Sequence, residues 1–87
     1  MNIEWQDADI CWLGHVKDEW VATIFPPAGD ISNYQGSLTL SKDYYHKDGP
    51  HEVSAKLSIY HPDYDTLVKL LDEAYVNFKA LIDGVAA

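Results

Sequence analysis

The sequence contains no arginine. Arginine is the side chain best suited to bidentate phosphate contact and to base recognition, so its absence argues against direct binding of DNA or RNA. Cysteine is reduced to Cys11 alone. No intrachain disulfide can form, and the simplest role for Cys11 is that of a small buried hydrophobe. No apolar run approaches the roughly 20 residues needed to span a bilayer. The five glycines are scattered and build no phosphate-cradling loop. No serine sits in the strand–turn–helix setting of a hydrolase nucleophile. The opening MNIEWQDAD is acidic and polar, the reverse of a secretory leader. A cytoplasmic, non-membrane protein is expected.

What the chain does carry is negative charge. Fourteen acidic residues face six lysines, a net charge of −8. The acids are unevenly spread. Residues 1–30 hold Glu4, Asp7, Asp9, Asp18, Glu19 and Asp30 against Lys17. Residues 31–61 balance Asp43, Asp48 and Glu52 against Lys42, Lys47 and Lys56. Residues 62–87 hold Asp63, Asp65, Asp72, Glu73 and Asp83 against Lys69 and Lys79. The two ends of the chain are acidic and the middle is neutral. Such a charge suits solubility, and it equally suits a basic partner.

Length bounds the architecture. Eighty-seven residues form one domain with one modest core. The longest periodic stretch is His61–Gly84. There, Tyr64, Leu67, Val68, Leu71, Ala74, Tyr75, Phe78, Leu81 and Ile82 recur at steps of three and four, one apolar stripe on a helix. Pro62 suits a first turn, Asp63 and Asp65 favour the positive end of the helix dipole, Lys79 lies near the negative end, and Gly84 suits a helix stop.

Upstream, Ile10–Val16 and Glu19–Phe25 read as a hairpin turning at Lys17-Asp18, closed by Pro26-Pro27. Residues 3–5 are either a short edge strand or a lead-in. Tyr34–Ser41 and Glu52–Tyr60 alternate apolar and polar residues, the pattern of antiparallel strands with one wet face. KDYYHKDGPH between them reads as a long polar loop. The predicted fold is α+β: a four-stranded antiparallel meander with the C-terminal helix packed on one face (ββββα), in two layers.

Candidate chemistry is sparse. His46 and His51 share a segment with Asp43 and Asp48, and imidazole with carboxylate can hold zinc. Their spacing matches no recognised metal signature, so neither metal nor cofactor is expected. His61 reads as a helix-boundary residue. The carboxylate pairs Asp7/Asp9 and Asp63/Asp65 have no cleft to separate their acidities, as acid–base catalysis requires. The chain reads as a non-enzyme.

Aromatic residues remain: three tryptophans, all in the first third, and six tyrosines. Exposed aromatics flanked by acids make anchors for a basic protein surface. The predicted partner-binding residues are Glu4, Asp7, Asp9, Trp12, Asp18 and Glu19, with Asp72 and Glu73 in support. Tyr44 and Tyr45 form a second candidate patch. In size, charge and lack of a catalytic motif the chain resembles small phage-encoded anti-defence proteins, anti-CRISPR proteins among them, and the acidic immunity proteins of nuclease toxins. The likeness is one of class and carries no residue correspondence. It implies an inhibitor that occupies a basic nucleic-acid-binding protein or nuclease by mimicking nucleic acid. The alternative is an assembly module. If Trp12 faces the helix, Leu13 and Cys11 face away, and a homodimer or a larger complex would cover that apolar hairpin face.

Overall fold

A computed structural model describes residues 1–30 and 32–86. It contains five strands and one helix. The strands are β1 (Glu4–Asp7), β2 (Trp12–Val16), β3 (Glu19–Phe25), β4 (Tyr34–His46) and β5 (Gly49–His61), followed by α1 (Tyr64–Val85). The sheet is an antiparallel meander in sequence order, β1-β2-β3-β4-β5. The two-layer α+β plan is as the alternation predicts, with five strands in place of four. The added strand is β1, whose four residues are too few to show a period.

One face of the sheet is dry. Ile24 and Leu38 from the sheet meet Leu67 and Leu71 from the helix, and all four are essentially inaccessible to solvent. Ile3, Val21, Ala22, Val68 and Tyr75 complete this core. Fully burying each large side chain contributes about 1.5–3 kcal/mol before chain entropy is charged against it. Gly36 of β4 lies directly under the helix: a Cβ there would stand 2.9 Å from Leu71 Cδ1 and 3.0 Å from Leu67 Cδ1. Bare backbone at this point lets the helix seat closely on the sheet.

The register of β2 on β3 shifts after Gly14↔Ala22, so that His15 opposes Trp20. One extra residue on β3, Val21, bulges there. Val21 and Ala22 are both buried as a result, while Trp20 turns to the outer face and is 57% exposed. Lys17 carries the turn of this hairpin with a left-handed φ of 55°.

The helix begins where Asp63 caps it. The Asp63 carboxylate accepts from the Thr66 amide at 2.9 Å and from the Thr66 hydroxyl at 2.6 Å. Pro62 therefore lies outside the first turn, and Asp63 does more than complement the dipole. Gly84 lies within the helix, which closes at Ala86, whose amide donates to Ile82 O. Leu81 lies on the flank of the buried row and is 60% exposed, so it does not belong to the core stripe. At mid-helix, Asp72 reaches the start of the chain: its Oδ1 accepts from the Asn2 amide at 2.8 Å and from the Ile3 amide at 2.9 Å.

The segment KDYYHKDGPH is not a loop. β4 and β5 pair continuously from Tyr34↔His61 to His46↔Gly49, and only Lys47 and Asp48 form the turn. Each 13-residue strand runs about 43 Å, whereas the 22-residue helix covers about 33 Å. β3 pairs with β4 only over Gln35–Leu38. Residues 43–52 therefore project as a two-stranded arm, and the molecule measures 50 × 23 × 19 Å. Among the described residues no helix is long and apolar enough to cross a membrane.

Candidate functional site

Acids from the two ends of the chain meet at one pole of the molecule. The β1–β2 connection turns tightly through Ala8–Cys11, with the Ala8 amide donating to Cys11 O at 2.8 Å. Asp9 adopts a left-handed φ of 77°. The Asp7 carboxylate accepts from the Asp9 amide at 2.9 Å and holds that conformation. The turn lifts Ile10 into solvent at 73% exposure, against the prediction that it begins a strand. Asp9 precedes it in the turn, and Asp7 ends the strand that leads in.

Beneath this turn lies an aromatic floor. Trp12 opposes Asp7 across the hairpin. Its ring centroid lies 4.9 Å from Tyr64 at the helix start and 6.1 Å from Tyr34. Trp12 thus packs on the helix side and supports the pole from below, rather than presenting itself as an anchor. Burial first, then the carboxylates of Asp65 and Asp7, push the Tyr64 phenol above its ordinary value. Asp65 from the helix and Asp7 from β1 therefore act on one phenol. Alongside them, Thr66, through its hydroxyl and then its amide, holds the Asp63 carboxyl below the usual range, with His61 and Lys69 adding to the effect. His61 ends β5 and accepts from the Asp63 amide at 2.9 Å, a boundary role as expected. No lysine occurs in residues 1–16, and Lys69 is the only one in residues 62–74.

The other predicted residues lie elsewhere. Glu4 is on the outer face of β1, 3.9 Å from His15 Nε2. Asp18 and Glu19 flank the far end of the first hairpin, in an open groove shared with Lys42, Lys79 and Asp83. There the charges are mixed: Asp83 accepts from Lys79 at 3.2 Å and from Lys42 at 3.4 Å. Asp72 is occupied by the N-terminal amides, and Glu73 is exposed on the helix. Asp7 and Asp9 are thus separated from Asp18 and Glu19 by the length of β2. Asp65 and Ile10 are the members of the pole that sequence reasoning missed. Asp65 had a sufficient local role at the helix dipole, and Ile10 read as the first residue of a strand.

On the arm, Tyr44 stacks on His51 with centroids 5.5 Å apart, and Tyr45 points to the opposite, outer face. His46, Asp48 and His51 converge at its tip. Asp48 Oδ1 lies 2.6 Å from His51 Nε2 and 3.4 Å from His46 Nδ1. Comparison of the chain with protein-family models, with curated proteins and with solved structures gives no match.

Proposed function

We propose that the chain is a non-catalytic binding module whose acidic pole docks on a basic, nucleic-acid-binding surface of another protein and blocks it. The observation that carries this reading is the meeting of Asp7 from β1 and Asp65 from the helix at Tyr64, over the Trp12–Tyr64 floor, beside a turn that carries Asp9 and an exposed Ile10. Carboxylates supply long-range attraction to a basic cleft, and Ile10 supplies apolar contact at the centre. The target class is a cytoplasmic nuclease or nucleic-acid-guided complex, and the module acts as an inhibitor by standing in for phosphates. The backbone of the pole is fixed before binding, because a hairpin turn and a capped helix carry its acidic residues. Little ordering entropy is then lost on association.

The test is a pull-down from nuclease-treated bacterial lysate, washed at low and then high salt, beside the double variant Asp9→Asn/Asp65→Asn. Asparagine tolerates the left-handed conformation at position 9, so the turn survives. The expected result is a basic nucleic-acid-handling protein that elutes with salt and is lost from the variant. Capture that is equal with the variant, or that resists high salt, overturns the reading.

One observation favours a second reading, an assembly module. With Trp12 on the helix side, Leu13 lies on the outer face with exposed Trp20, Phe25 and Tyr60. A homodimer through this face would persist at high ionic strength, and the molar mass in solution distinguishes the two.

A further inference from the structure

We propose that the tip of the β4–β5 arm is a binding site for a divalent transition-metal ion, zinc being the reference case, with His46, Asp48 and His51 as its protein ligands. This site lies on the arm and is independent of the acidic pole.

The fold brings these three side chains together although their spacing matches no known signature. Tyr44 opposes His51 and His46 opposes Gly49, so the two histidines are diagonal neighbours on one face of a two-stranded ribbon. Between them the chain reverses over Lys47 and Asp48, and Gly49 takes a φ of 120° that a side chain would resist. That reversal returns the Asp48 carboxylate over the face holding the histidines. One ligand atom from each residue lies within 4.8 Å of the other two. A tetrahedral zinc with bonds of about 2.0–2.1 Å needs ligand atoms about 3.3 Å apart. The two separations from Asp48 Oδ1, 2.6 and 3.4 Å, bracket that value, and the separation between the two imidazole nitrogens lies within 4.8 Å, so rotation of the exposed His46 ring and the Asp48 carboxylate completes the set.

The ligand set selects the metal. Two imidazoles and one carboxylate suit zinc, copper, nickel or iron, whereas magnesium and calcium require oxygen ligands throughout. Stacking on Tyr44 limits the swing of the His51 ring and preorganises it. The Asp48–His51 hydrogen bond alone could be ordinary turn decoration. It does not account for His46, whose Nδ1 also faces the same carboxylate oxygen. Three protein ligands at an exposed tip leave at least one coordination position for water or for a side chain of another protein.

The experiment is calorimetric titration of zinc into the untagged, chelator-treated chain at neutral pH, with His46→Ala and His51→Ala as variants. Both positions lie on the arm outside the core, so the variants are expected to melt with the parent protein. One zinc per chain is expected, with affinity about tenfold or more weaker in each variant. Ring signals of His46 and His51 should move on zinc addition while those of His15 and His61 stay in place. No zinc binding, binding undiminished by either substitution, or equal competition by magnesium overturns the site.

Discussion

Gly36 gives the sharpest test of how the helix sits on the sheet. Replacing it by alanine places a methyl 2.9 Å from Leu71 Cδ1 and 3.0 and 3.2 Å from the two Leu67 methyls. Carbon atoms rest at about 3.5–4.0 Å, so the three contacts must open by at least about 0.3–0.6 Å. Both leucines are fully buried and have no solvent to retreat into. Overpacking of this kind costs about 1–3 kcal/mol. Against it, alanine in a strand gains about 0.5–1 kcal/mol over glycine through the unfolded chain. Gly36 has no left-handed φ, so no backbone strain enters. The net is a loss of about 0–2.5 kcal/mol, whose midpoint is a fall in Tm on the order of 5–10 °C for a domain of this size. Gly84→Ala is the matched control. It is the same chemical change in the helix, with nothing within 4 Å of the new Cβ. It should gain up to about 1 kcal/mol, somewhat less so close to the helix end. Urea unfolding followed by tryptophan fluorescence reads both. If Gly36→Ala unfolds at or above the parent midpoint, the helix is not seated on β4 as described.

Leu71→Asp buries a charge among Ile24, Leu38 and Leu67 and is expected to abolish the cooperative melt; a transition within a few degrees of the parent would contradict the core. Asp72→Ala removes the acceptor for the Asn2 and Ile3 amides and should cost about 1–2 kcal/mol, with hydrogen exchange at those amides accelerating first. The Asp63 carboxyl is lowered from 3.8 in the folded state, so the stability it contributes is present above about pH 4 and is lost as the pH falls through the lower folded value. Asp63→Asn should therefore lose less stability than the parent between about pH 6 and about pH 2, as read from urea midpoints. Equal losses would remove Asp63 from the acid limb.

The helix and the central strands were legible because burial imposes a period. Leu67, Leu71, Tyr75 and Ile82 must face one sheet, and Leu38 and Leu40 must alternate with Thr39. Where no face is buried, no period is required. The arm runs beyond the helix with water on both sides, so Asp43, Tyr45 and Lys47 read as a loop although most of the segment is strand. Its order comes from cross-strand pairing, which leaves little trace in local composition. The same reason left His46, Asp48 and His51 named as possible ligands but set aside on spacing: their proximity arises from a two-residue turn, not from a helical spacing. The acidic pole was half legible. Asp7 and Asp9 stood out in a stretch without lysine, but only the meander order brings them to the start of the helix.

The hold of Asp72 on Asn2 and Ile3 spans about 70 residues of chain. It joins the residues ahead of β1 to the middle of α1. Ile3, Ile24 and Leu38 are translated well before Leu67 and Leu71, their cover, so the nascent sheet waits with its apolar face open. Pairing distant segments also charges the entropy of a long closure before any contact repays it, which slows folding relative to a chain of local contacts. Docking of the helix is what closes the core and ties Asn2 and Ile3 to it. A nascent chain stalled before residue 64 is the species that chaperones would meet.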